Sequence, residues 1–149
     1  MSTTKRTTAL ALAAILALAM IVPAGCSSDD TGDAGGAEEK EPYVIGAVLS
    51  LTGAQSGLGT PEENAIKMEV ARINAEGGIN GHPLEVIIED DASDVDQAIA
   101  ATTKLIEQDE VLAIIGSTGT GQSMAMRDEI NLAQVPQVAL GSGAIITRE

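Results

Sequence analysis

The sequence predicts an α/β fold, a doubly wound parallel sheet with strand order 2-1-3-4. Three observations lead there. From Tyr43 onward, apolar runs of strand length alternate with segments that repeat apolar residues at helical spacing. The runs are continuous, as expected of strands buried on both faces. Four strands alternating with three helices imply right-handed crossovers, and hence parallel pairing.

The first strand is "YVIGAVLS" (43–50), followed by the loop Leu51–Thr60. Thr60 as N-cap, Pro61 at the first helical position and Glu63 completing a capping box predict the start of the first helix. Ile66, Val70 and Ile73 then recur at helical spacing until Gly77 and Gly78 stop the helix. "HPLEVIIED" (82–90) is the second strand. Its helix begins near Ser93 or Asp94, with Val95, Ala98, Ile99, Thr102, Leu105 and Ile106 in one buried stripe. "VLAIIG" (111–116) is the third strand. The third helix starts at about Gln122 with Met126, Ile130 and Ala133 inward, and "QVALG" (137–141) is the fourth strand.

The amino terminus has a different character. Lys5 and Arg6 precede an uninterrupted apolar run from Ala9 to Val22, which is short for a membrane span and matches the core of a secretory signal. It ends in "IVPAGCSS", which resembles a bacterial lipobox, with Gly25 before the sole cysteine, Cys26. Pro23 departs from the usual small or aliphatic residue. Residues 1–25 are therefore expected to be a lipoprotein-type signal peptide and Cys26 the lipidated residue. Two or three acyl chains, at about 0.8 kcal/mol per buried methylene, would anchor it stably. Residues 26–42, rich in Gly, Asp and Glu, are expected to form a disordered acidic tether. The chain is then exported and lipid-anchored to the cell membrane, facing the periplasm or the cell exterior.

Net charge is −14, and −16 once Lys5 and Arg6 leave with the signal. That surface repels nucleic acid and anionic headgroups. One tyrosine without Phe or Trp also removes stacking platforms for bases. Nucleic acid is accordingly not an expected partner.

The topology locates a site. With order 2-1-3-4 the chain direction reverses between strands 1 and 3, and ligands bind outside the carboxyl ends of those strands. The loops there are Leu51–Thr60 and Gly116–Gly121, with Gly141-Ser142-Gly143 beside them. The stretch "GSTGTGQS" does not fit a phosphate cradle, because Gly121 precedes Gln122 and no lysine is near. The spacing of Gly116, Gly119 and Gly121 is not a dinucleotide fingerprint, and neither Ser117 nor Ser123 sits in a nucleophile elbow. His82, the only histidine, lies at the opposite end of strand 2 and reads as a turn residue. Asp90 and Asp91 read as a capping and solvated pair, since a receiver-type aspartate at the end of strand 3 is missing. No metal, cofactor or catalytic set is implied. What remains is a binding surface. Backbone N–H groups at the starts of helices 1 and 3, the hydroxyls of Ser117, Thr118 and Thr120, and the small residue Gly119 suit a carboxylate held without a formal countercharge.

The marks "LTG", "INAEGGINGHPLEV", "DDASD", "AIIG" and "VPQVALGSGAIIT" follow in order within a stretch from Ile45 to Thr147. With that spacing the chain resembles the leucine/isoleucine/valine-type substrate-binding proteins of bacterial ABC transporters. The resemblance implies two α/β lobes that close on an amino acid or a related acid or amide. It implies partners in a permease and its ATPase. By the same resemblance, Thr120 binds the substrate carboxylate, Leu58 lines the cleft mouth, and the Gly141 carbonyl accepts from the substrate ammonium. Gly143 stands where the family commonly has Ser or Thr, and Ser142 is the nearest substitute. A disulfide found in some members is absent, with Ser93 and Gly119 at those places.

Residues 43–149 are thus expected to be a truncated amino-terminal lobe, the incomplete first lobe of a two-lobe periplasmic-binding-protein fold. An open sheet edge and marginal stability should follow. A sensing domain of the same fold is the alternative function, and a flavodoxin-like enzyme the third.

Overall fold

The computed structural model describes residues 40–146. The expected signal peptide, Cys26 and most of the tether lie outside the described residues. Eight regular elements follow in order: β1 (Tyr43–Leu49), α1 (Ser56–Ala75), β2 (Leu84–Asp90), α2 (Val95–Glu107), β3 (Ile114–Gly116), α3 (Thr120–Ala125), α4 (Arg127–Ala133) and β4 (Gln137–Val138). A turn of 3-10 helix covers Ala144–Ile146. The sheet is parallel throughout, in the order β2-β1-β3-β4. This is the expected topology.

Each face of the sheet is covered differently. Val48 and Ile114 join Ala98, Ala101 and Leu105 of α2, and Met126 and Ile130 nearby, in one buried core. Gly46 lets α2 close onto β1, because a Cβ there would press on the Leu105 side chain at 2.8 Å. On the other face α1 lies more loosely. An apolar cleft of about 380 Å³, lined by Ile45, Ile66, Val70, Ile73, Leu84 and Ile115, runs between helix and sheet. β4 is an edge strand, and its Val138 is 62% exposed.

Local chemistry explains the main boundaries. α1 is closed just past its end by Gly77 and Gly78, both at positive φ. Gly78 N–H donates to Ile73 O at 2.9 Å and Gly77 N–H to Asn74 O at 3.1 Å, the double closure of a glycine C-cap. The Asn74 side chain then pairs with both backbone groups of Leu84, fixing where β2 starts. Asp94 caps α2 by accepting from Gln97 N at 3.0 Å.

Several expectations need correction. α1 starts at Ser56, so Thr60 is not its cap and the Thr60–Glu63 box does not form; Glu63 instead pairs with Lys67 at 2.6 Å. The earlier start is possible because Gly59 packs against Ser50, where a Cβ would overlap the Ser50 carbonyl. Pro61 sits in the second turn of α1, where the residue whose carbonyl it cannot serve, Gly57, is exposed. Val95 is 42% exposed at the head of α2, and Ala133 is exposed where α4 ends in the left-handed Gln134. The expected third helix is two short ones meeting at Met126, and it begins at Thr120. Lys40 and Glu41, placed in the tether, already bond to the body: Lys40 Nζ donates to Asn80 O at 2.7 Å, and His82 Nδ1 lies 2.8 Å from Glu41 O.

Candidate functional site

The carboxyl ends of β1, β2 and β3 bring together Ser50, Asp90, Asp91 and Gly116. Asp90 organises the loop after β1. Its Oδ1 accepts from the N–H of Leu51 (2.8 Å), Thr52 (3.1 Å) and Ala92 (2.8 Å), and its Oδ2 from the Thr52 hydroxyl (2.7 Å). Burial alone would raise its pKa; the Thr52 hydroxyl and the N–H groups of Ala92, Thr52 and Leu51 outweigh that and hold it below the ordinary value of 3.8. A carboxyl lowered on folding stabilises the fold above its unfolded value, and that stabilisation fades as pH falls through its folded value. Urea midpoints measured between pH 6 and pH 2 should therefore drop below about pH 4, and Asp90→Asn should flatten part of that drop. Identical pH profiles in the two proteins would refute this.

Asp91 is the larger surprise. It is not solvated but fully buried. Its Oδ1 accepts from the Ser50 hydroxyl at 2.6 Å and from Ser93 N–H at 2.8 Å, and its Oδ2 accepts from the Ser117 hydroxyl. The carboxylate is satisfied by neutral donors from three separate loops. Sequence reasoning missed it because two of those donors, Ser50 and Ser117, lie far away in the chain. Its one signal was a serine closing the apolar run of β1, opposite a second aspartate.

The expected ligand-binding residues fall into two groups. Ser117 and Thr118 are buried, and their hydroxyls serve the protein. Ser117 donates to Asp91, while Thr118 Oγ1 accepts from Ser50 N–H at 3.0 Å and donates to Glu62 at 2.6 Å. Gly119 packs against the side-chain carbonyls of Gln55 and Gln122. Thr120, Gly141 and Gly143 do come together. Thr120 Oγ1 accepts from Gly143 N–H at 3.0 Å, and a Cβ on Gly141 would press on the Thr120 backbone at 2.9 Å. A hydroxyl that accepts one bond keeps its own hydrogen to donate. Ser142 is exposed between the two glycines, and Leu58, in the first turn of α1, is 63% exposed.

Gly116 fixes the entry to this loop. It has φ +119°, and a Cβ there would overlap the Val48 carbonyl oxygen. Gln137 Nε2 donates to the Gly116 carbonyl at 2.8 Å, tying β4 to the same point. Among the described residues, no group of three or more metal-ligating side chains exists, and no helix is long and apolar enough to cross a membrane.

Comparison with known proteins agrees with this fold. A family model described as periplasmic binding protein matches residues 42–147. A Leu/Ile/Val-binding protein homolog of Brucella abortus is 32% identical over 111 residues, covering 74% of this chain and 28% of that protein. Two solved structures share the fold at 31% identity. One is a branched-chain amino acid transporter substrate-binding protein from Streptococcus pneumoniae in complex with isoleucine (TM-score 0.66; 68% of this chain, 29% of that one). The other is a solute-binding protein of an ABC transporter from Rhodopseudomonas palustris in complex with 3,4-dihydroxybenzoic acid (TM-score 0.65; 72% and 30%). The chain thus spans less than a third of the length of these relatives.

Proposed function

The chain belongs to the periplasmic binding protein family, and from that premise we propose that it binds a small carboxylate ligand for an ABC transporter. The foremost candidate is a branched-chain amino acid. The observation that carries this reading is the meeting of Thr120, Gly141 and Gly143 at the switch point of the sheet. A hydroxyl there that accepts from Gly143 N–H keeps its own hydrogen to hold a carboxylate without a cation. The ligands of two relatives support the same reading, since isoleucine and 3,4-dihydroxybenzoic acid share a carboxylate and little else.

Within this reading Leu58 and Ser142 form the rim, while Ser117, Thr118 and Gly119 shape the loop from below. The partners are a membrane permease and its ATPase, and the role is capture, not chemistry. Residues 1–25 act as a lipoprotein signal and Cys26 carries the anchor on the outer side of the cell membrane. Replacing Cys26 with serine should move the protein from the membrane to the soluble fraction; unchanged fractionation would count against the anchor.

Titration calorimetry on the purified chain tests the ligand class. L-isoleucine should bind at least about tenfold more tightly than L-isoleucinol, which keeps the ammonium and side chain but lacks the carboxylate. Equal binding of the two, or no binding of either, would overturn the reading.

A further inference from the structure

We propose that Asp91 is a positioning residue for the binding crevice: a buried carboxylate that sets the β3–α3 loop, and through it Thr120, against the ends of β1 and β2. Asp91 is fully buried, and among the described residues none of the lysine and arginine ion pairs includes it. A buried carboxylate persists only where hydrogen bonds replace its hydration. Here they come from Ser50 after β1, Ser93 in the turn before α2, and Ser117 after β3. One side chain therefore crosslinks the three loops that the sheet topology brings together.

The link to the ligand runs through Ser117. Its hydroxyl donates to Asp91, and its carbonyl accepts from the Ser123 hydroxyl of α3 at 2.9 Å. The next residue, Thr118, accepts from Ser50 N–H, and two residues further on Thr120 accepts from Gly143 N–H. With Ser117 released, both later contacts sit on a loop that has lost one of its anchors, while Thr118 keeps its own bond to Glu62. A side chain that only filled the core would show no such direction. Its loss would loosen the whole sheet evenly.

Asp91→Asn separates these possibilities. It keeps Oδ1 for Ser50 and Ser93 and replaces the oxygen that accepts from Ser117. Hydrogen exchange on the full chain should accelerate about tenfold or more at the amides of Ser50 and Gly143. The amides of Tyr43, Gly46 and Ile114, which bond to the carbonyls of Pro83, Ala113 and Pro136, should stay within about twofold. Ser117→Ala should give the same pattern, and the double variant should add little to either single one. Uniform acceleration of all five amides, or no change at Ser50 and Gly143, overturns the proposal, as does full additivity of the two substitutions.

The functional half rests on the carboxylate reading of the crevice, so it has its own arm. In a chain that binds L-isoleucine, Asp91→Asn should weaken binding about fivefold or more, and unchanged affinity overturns the positioning role. A wild-type chain that fails to bind L-isoleucine overturns the ligand reading instead, and the exchange pattern alone then decides whether Asp91 sets the loop.

Discussion

Replacing Gly116 with alanine is expected to lower the stability of the protein by about 3 kcal/mol or more, measured as a fall in the urea midpoint of the far-ultraviolet dichroism. Two costs combine. The backbone at Gly116 has φ +119°, which an L side chain adopts only under strain, and a Cβ would overlap the Val48 carbonyl oxygen. That oxygen belongs to the central strand, so the clash cannot be relieved by turning a side chain. Gly57 provides the control. It lies in α1 with open space around its absent Cβ. Alanine there should raise stability by about 0.5–1 kcal/mol through the unfolded chain and helix propensity. Equal midpoints for Gly116→Ala and the unaltered chain would show that the loop yields where the structure says it is pinned.

Thr120→Ala should weaken L-isoleucine binding by about 1–3 kcal/mol, a loss of roughly 5- to 150-fold in affinity. The hydroxyl does two things in the proposed complex. It holds Gly143 N–H and has its own hydrogen to offer the ligand carboxylate. Thr120→Ser retains both and should bind nearly as the unaltered chain does. Ser142→Ala is the comparison for a residue at the exposed rim, with an effect below about 1 kcal/mol. Undiminished affinity in Thr120→Ala would move the carboxylate away from this residue.

The parts of the fold that could be read from residue order are those governed by local patterns. The apolar run from Tyr43 to Leu49, the paired glycines at 77 and 78, and the Asp94 cap each act over a few residues, and each appears where its chemistry requires. Topology followed, because alternating strands and helices leave few ways to connect a parallel sheet. The start of α1 was misread for an instructive reason. Thr60, Pro61 and Glu63 form a sound capping signal, but Gly59 can approach Ser50 closely, and that tertiary contact draws the helix back to Ser56. Asp91 shows the same limit at the site. Whether an aspartate is solvated or buried depends on Ser50 and Ser117, which lie 41 and 26 residues away. The hydroxyls of the 116–120 loop looked alike in sequence, and only their partners separate Thr120 from Ser117 and Thr118.

Tyr43 stacks on His82 with ring centroids 4.6 Å apart, and it is the only aromatic residue among the Phe, Trp and Tyr of the whole chain. The protein therefore carries a single native fluorophore, and its emission reports one location: the beginning of β1. The crevice lies at the other end of that strand, about 20 Å away. Ligand capture should leave the tyrosine emission nearly silent, whereas unfolding, which separates the two rings, should change it. An experimenter thus has a built-in optical channel for folding, and needs heat or an added dye to see binding.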